Sequence, residues 1–174
     1  YPRATVTELE EDAWLPKLGL LWQLNQQSEV FAQYARGYRA PPFADVNVGL
    51  YYPQFGVMAV SNPDLKAERG YSLEIGMRQR VKSGQWQLAL YDNSYRDFIE
   101  SRAPQGFDPQ QGLLIFKSVN RDQVSIKGIE LEWQQRWNQH WSSTVSLSYS
   151  EGKDERSDRE LAGVAPAHGI FELK

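Results

Sequence analysis

The sequence predicts an all-β chain, part of an antiparallel up-and-down barrel that crosses a membrane, and three observations predict it. Apolar and polar residues alternate along several stretches, the pattern of strands with one apolar face. The connections between these stretches are short at one end and long at the other. Aromatic residues sit where the apolar runs stop. Membrane barrels show this combination, with short turns on one side, long loops on the other and aromatic girdles between.

Leu18, Leu20, Trp22 and Leu24 alternate with Gly19, Leu21 and Gln23 and predict the first strand, which the polar group 25–28 ends. The run 29–38, with Val30, Ala32 and Tyr34 on one face, predicts the second. A proline-punctuated stretch with little regular period follows, from YARGYRAPPFADVN to NPDL. Tyr71, Leu73, Ile75 and Met77 then alternate with Ser72, Glu74, Gly76 and Arg78. After a tight turn at 82–84, Trp86, Leu88 and Leu90 resume the alternation, so the third and fourth strands form a hairpin.

Beyond Leu90, YDNSYRDFIESR places aromatics at 91, 95 and 98 without a clean phase and reads as a long strand that has left its apolar environment. APQGFDPQQG, 103–112, is predicted to be a loop by its Pro and Gly content. The fifth strand runs through Phe116, Ile126, Ile129, Leu131 and Trp133, its phase resetting at a bulge near Gly128. WNQHW is a turn. Trp141, Ser143, Val145, Leu147 and Tyr149 against Ser142, Thr144, Ser146, Ser148 and Ser150 make the sixth strand. EGKDERSDRE is a charged loop, and GIFELK begins a seventh strand. The long connections thus fall at about 39–66, 103–112 and 152–166 and are expected to lie outside the membrane.

Magnitudes favour a membrane wall. Trp141 to Tyr149 spans roughly 26 Å at about 3.3 Å per residue, or roughly 20 Å along the membrane normal at a tilt of about 40°. Glu74, Arg78, Glu130 and Glu132, opposite the apolar residues, would be costly in a closed core and are accommodated by a wet lumen. A soluble β-sandwich binding module gives the same alternation, and it requires its apolar faces to meet in a closed core within these residues.

Composition excludes other classes. Aromatics make up 13% of the 174 residues and charged residues 24%, with a mean hydropathy of −0.60. No apolar run approaches the ~18 residues of a membrane helix. YPRATVTELEEDAW has neither a basic cluster nor an apolar stretch, so the chain is expected to begin after any targeting signal. Zero cysteines remove disulfides and thiolate chemistry. A net charge of −3 argues against nucleic acid as a partner. His140 and His168 lack metal-ligand spacing, and no nucleophile and base are paired by motif, so neither a metal site nor an enzyme is expected.

YARGYRAP followed by NPDLKAERGYSLEIGMR resembles the paired "FRAP" and "NPNL" boxes of TonB-dependent outer-membrane receptors, with Tyr38 in place of the usual Phe. NRDQVSIKGIELEW and LYDNSYRDFIE resemble recurrent barrel strands of that family, so the likeness covers the chain from about residue 15 to its end. The resemblance implies a plugged barrel of on the order of 22 strands. About seven strands cannot close one, so the chain is expected to be a piece of the later barrel half. The plug, the segment that meets the inner-membrane TonB complex and the closing strands would then lie elsewhere.

RAPPFADVN, NPDL and DFIE look most like the branch that takes up haem or iron from haemoglobin, transferrin or lactoferrin. The resemblance implies a bacterial outer-membrane location, lipid around the barrel, haem or a haem-bearing host protein as partner, and haem as transported cargo with no permanently bound cofactor. Siderophore, cobalamin and other metal-chelate receptors carry related boxes and remain the alternative. In haem receptors a His or Tyr between the boxes can face the iron. This chain has no His there but has Tyr51 and Tyr52, and phenolate ligates ferric haem.

The ligand-binding loop is therefore assigned Arg39, Phe43, Asn47, Tyr51, Tyr52, Phe55 and Met58. The aromatics and Met58 would pack on a porphyrin face, and Arg39 would pair with a carboxylate of the cargo or make a salt bridge within the loop. The boxes Tyr38, Arg39, Ala40 and Pro41, and Asn62, Pro63, Asp64 and Leu65, are read as shaping the loop, because proline fixes φ and Asn before Pro favours a turn.

Overall fold

A computed structural model describes residues 6–7, 12–161, 163–165 and 167–174. In chain order the elements are β1 (Lys17–Gln23), β2 (Ser28–Arg39), a one-turn helix α1 (Phe43–Asn47), β3 (Leu50–Tyr52), a 3-10 turn (Pro53–Phe55) and β4 (Val57–Val60). They continue with β5 (Glu68–Val81), β6 (Gly84–Asp108), β7 (Leu113–Arg136), β8 (Ser142–Asp154), β9 (Arg159–Glu160) and β10 (His168–Leu173). All strands join one sheet. The order β1-β2-β5-β6-β7 continues through β8 to β10, while β4 and then β3 extend from the earlier part of β7, and β9 pairs with β8. Seven of these strands are those the alternation predicts, and β3, β4 and β9 are short additions. Among the described residues no helix is long and apolar enough to cross a membrane.

The described residues fall into two compact units. One gathers 15–37, 70–95 and 124–174, and its strands carry two chemically distinct faces. Leu18 pairs with Tyr34, Leu20 with Ala32 and Trp22 with Val30, and Tyr34 stacks on Tyr71 with ring centroids 6.5 Å apart. Farther along the sheet Ile129 pairs with Tyr149, Leu131 with Leu147 and Trp133 with Val145. Because side chains alternate along a strand, these residues line one continuous apolar face. The face ends at charge: the Lys127 ammonium lies 3.5 Å from Asp92, each two residues beyond Ile129 and Leu90 along its strand.

The opposite face is polar. Arg78 donates to Glu29 and, at 2.9 Å, to Gln87. Glu130 faces Ser148, and Glu132 faces Ser146. Two glycines serve this face. A Cβ on Gly76 would fall 2.2 Å from the Phe31 ring, and one on Gly128 would fall 2.3 Å from Tyr91. Each glycine leaves room for a neighbouring aromatic ring and for a close backbone carbonyl, that of Leu88 beside Gly76 and of Tyr149 beside Gly128.

Nothing in the described chain covers the apolar face. Leu20 is 66% exposed, Trp22 65%, Ile75 49% and Leu147 48%. Soluble monomers seldom expose large contiguous apolar patches, so a face built of such side chains marks a surface that meets an apolar partner. The closed core of a β-sandwich is therefore not formed, and an up-and-down barrel wall facing lipid is the arrangement these strands make.

The other unit gathers 6–7, 12–14, 38–69 and 96–123. It holds a small core in which Val46, Leu65 and Ile99 are buried together. Asp97 and Arg102 both adopt left-handed backbone with φ of 53°, which costs a non-glycine residue about 1 kcal/mol. These two irregularities break the phase of YDNSYRDFIESR without ending the strand.

Two expectations are corrected. The stretch 103–112 is not an open loop, because β6 runs to Asp108 and only 109–112 turn. Asp108 sets that turn, its Oδ1 accepting the Gln110 N–H at 2.8 Å and its carbonyl the Gly112 N–H at 2.8 Å. Pro104 lies within β6 and, having no N–H, contributes no ladder donor there. The bulge near Gly128 is also absent from the β7–β8 ladder, whose register runs unbroken from Val124 to Arg136. Gly128 is explained by the Tyr91 ring instead. In the charged connection 152–166, β8 persists to Asp154 and pairs with β9; Ala162 and Pro166 lie outside the described residues.

Candidate functional site

The irregular stretch between the two boxes is built, not loose. Pro41 is buried, and the Pro42 carbonyl accepts N–H groups of Asp45 at 3.0 Å and Val46 at 3.2 Å, closing α1. α1 buries Val46. After it β3 and β4 form a hairpin across the 3-10 turn, with Gly56 at a φ of 67° supplying the left-handed residue the turn needs. β4 then runs parallel to β7, Val57 opposite Leu114 and Val60 opposite Lys117, an unusual ladder in an otherwise up-and-down sheet.

NPDL closes the stretch as a tight turn. The Asn62 side chain accepts the Asp64 N–H at 3.3 Å and donates to the Ser118 carbonyl at 2.8 Å, and the Asn62 N–H donates to Asp45 at 2.8 Å. Leu65 is buried against Val46 and Ile99, while Pro63 and Asp64 are exposed. Tyr38 is half-buried at the end of β2, and Ala40 is exposed.

Arg39 pairs with Glu68 at 3.4 Å. The Glu68 carboxylate is 7% exposed as a residue and also accepts the Ile99 N–H at 2.9 Å. Arg39 is thus paired within the chain while its side chain stays 46% exposed, in keeping with the salt-bridge reading of this residue. Asn47 is likewise tied locally, exchanging hydrogen bonds with the backbone of Thr7 at 2.8 and 3.3 Å.

Phe43, Tyr51, Tyr52 and Phe55 are all exposed, Phe55 by 74%. Tyr52 packs on Phe55, ring centroids 6.4 Å apart at 60°. Tyr51 lies opposite Met58, and Leu50 opposite Ala59. Side-chain alternation puts Tyr51 and Met58 on one face of the hairpin and Leu50 and Tyr52 on the other. The two tyrosines therefore cannot both address one flat ligand.

A hollow of about 50 Å³ lies beside Leu50 and Ala59, lined also by Asp45, Arg102, Lys117 and Ser118. Arg102 and Lys117 escape sequence reasoning, since neither sits in a box. Asn120, which hydrogen-bonds Lys66 and Asp97, had a signal in NRDQ but no visible role. Among the described residues no group of three His, Asp or Glu is placed to hold a metal ion.

A family model described as "TonB dependent receptor-like, beta-barrel" matches residues 2–170. The chain is 26% identical over 180 residues to Hemoglobin-haptoglobin utilization protein B of Neisseria meningitidis serogroup C, covering 89% of this chain and 22% of that protein. It is 30% identical over 118 residues to Hemoglobin and hemoglobin-haptoglobin-binding protein B of Haemophilus influenzae, covering 66% of this chain and 11% of that one. Among solved structures, Copper transporter OprC superposes with a TM-score of 0.73 at 18% identity, over 90% of this chain and 23% of that chain. The siderophore receptor PirA from Acinetobacter baumannii superposes with a TM-score of 0.67 at 20% identity, over 91% and 26%. The chain spans about a fifth or less of the length of these curated relatives.

Proposed function

The chain belongs to the TonB-dependent receptor β-barrel family, and from that premise we propose that it is part of a transporter for haem, or for iron from haem-bearing host proteins. The family is one of bacterial outer-membrane barrels, so the apolar face belongs against lipid and the polar face toward the lumen. In this reading the stretch 39–66 and the tips of β6–β7 and β8–β9 lie outside the cell and capture cargo. A plug elsewhere in the full-length protein, coupled to the inner-membrane TonB complex, then moves to let cargo pass. The activity is transport, not catalysis.

One observation carries the haem assignment: the curated relatives named above are a hemoglobin-haptoglobin utilization protein and a hemoglobin and hemoglobin-haptoglobin-binding protein. The copper and siderophore transporters share the fold at identities too low to speak to cargo. The exposed rings of Tyr52 and Phe55, packed on each other, suit a porphyrin plane. Titrating the full-length receptor with haem, haemoglobin and ferric siderophores tests this. Haem and haemoglobin should bind tightly. Tight siderophore binding without haem binding would sink the assignment.

A further inference from the structure

We propose that the hollow beside the β3–β4 hairpin is an anion pocket that takes a carboxylate of the cargo, a haem propionate, with Arg102 and Lys117 as its cations. This rests on the haem reading for the identity of the cargo, and on geometry for the pocket.

Arg39, Arg78, Arg121 and Lys127 each pair with a carboxylate. Arg102 and Lys117 line the hollow, yet neither side chain makes an ion pair or hydrogen bond among the described residues. Asp45 lines it too, but its contact is with the Ser101 hydroxyl at 3.4 Å. The hollow thus carries two cations, neither in an ion pair, against the single carboxylate of Asp45, and the excess positive charge favours an entering anion.

The backbone points the same way. Arg102 is held at a φ of 53° in mid-strand, and such irregularities re-aim a side chain and cluster at functional positions. Its N–H donates to the Ser118 hydroxyl at 3.1 Å. That fixes the Ser118 oxygen as acceptor and leaves its own O–H to donate to a bound carboxylate.

Size narrows the ligand. About 50 Å³ exceeds the ~15 Å³ that one water requires and suits a carboxylate, not a porphyrin. The apolar Leu50–Ala59 pair forms its rim, and Tyr52 lies two residues along the same face of β3. An apolar plane anchored by its carboxylate in the hollow would lie along that face, with the Arg39 role expected from sequence passing to Arg102 and Lys117.

The test uses the full-length receptor with haem and with haem dimethyl ester, whose carboxylates are blocked. Variants are Arg102→Asn, which tolerates the left-handed backbone, Lys117→Gln, and the pair combined. Wild type should bind haem roughly tenfold or more tighter than the ester, the worth of a charge-assisted contact. The double variant should bind haem only as tightly as the ester, with ester affinity unchanged, which also shows that it is folded. Equal wild-type affinities, or equal loss for both ligands, would overturn the pocket. Wild type binding neither ligand would defeat the haem reading alone. In that event free propionate decides the pocket: it should raise the unfolding temperature of wild type and not of the double variant, and equal responses would overturn it.

Discussion

Asn120 grips the backbone of Lys66 from both sides, its Oδ1 accepting the Lys66 N–H at 2.9 Å and its Nδ2 donating to the Lys66 carbonyl at 3.0 Å. The same Nδ2 reaches the carbonyl of Asp97 at 2.7 Å, at one of the left-handed residues of β6. One side-chain amide thus does the work of a strand neighbour, fastening the exit of the NPDL turn to two strands at once.

Asn120→Ala should leave three backbone groups to find water, a loss of about 1–3 kcal/mol local to the 57–66 stretch. Amide exchange at Lys66 should speed markedly while amides of β8 stay protected. Asn120→Asp keeps the acceptor for the Lys66 N–H but sets a carboxylate oxygen against the carbonyls of Lys66 and Asp97, so exchange at Lys66 should speed in that variant too. Unchanged exchange in Asn120→Ala would show that the grip is incidental.

Adjacent residues on β5 should behave in opposite ways. Ile75 is on the apolar face and Glu74 on the polar one, so Ile75→Arg should cost about 2–4 kcal/mol in denaturant unfolding from lipid vesicles. Glu74→Gln should change stability by less than about 0.5 kcal/mol. Similar losses at both positions would contradict the lipid-facing assignment.

Gly128→Ala places a methyl group 2.3 Å from the Tyr91 ring and should destabilise by about 1–3 kcal/mol. Combining it with Tyr91→Ala should cost less than the two single changes added together, because the ring's share of the clash is relieved while the 2.8 Å approach to the Tyr149 carbonyl remains. Strict additivity in the same unfolding assay would mean that Tyr91 is not what keeps residue 128 small.

The hairpin puts the two tyrosines on opposite faces. Tyr52 shares the face of Leu50 and the hollow, so Tyr52→Phe in the haem-loaded receptor should abolish a ferric-phenolate absorption band. Tyr51→Phe should keep it. The reverse pattern would move the cargo to the Met58 face.

The alternation in the sequence was enough to place seven strands, because a lipid-facing wall demands an apolar residue at every second position. The alternation fixes only which residues share a face, and the pairs Leu131–Leu147 and Trp133–Val145 keep that phase. The parallel β4–β7 ladder was not legible, since it joins residues about sixty apart and leaves no periodic trace. Arg102 was missed because nothing about an arginine announces left-handed backbone. APQGFDPQQG was misleading for a related reason: Pro and Gly report local preference, and the hairpin partner strand overrode it. The site was half legible. The boxes and aromatics stood out by residue type, but the opposition of Tyr51 and Tyr52 depends on β3 being a strand, which the irregular stretch did not suggest.

The central claim is uptake of haem iron, and growth tests it most directly. A bacterial strain lacking its own haem and siderophore receptors would express only the full-length receptor, with haem, haemoglobin or a ferric siderophore as sole iron source. Growth on haem or haemoglobin, dependent on the TonB complex and failing on the siderophore, is the predicted result. Growth on the siderophore but on neither haem source would contradict the account.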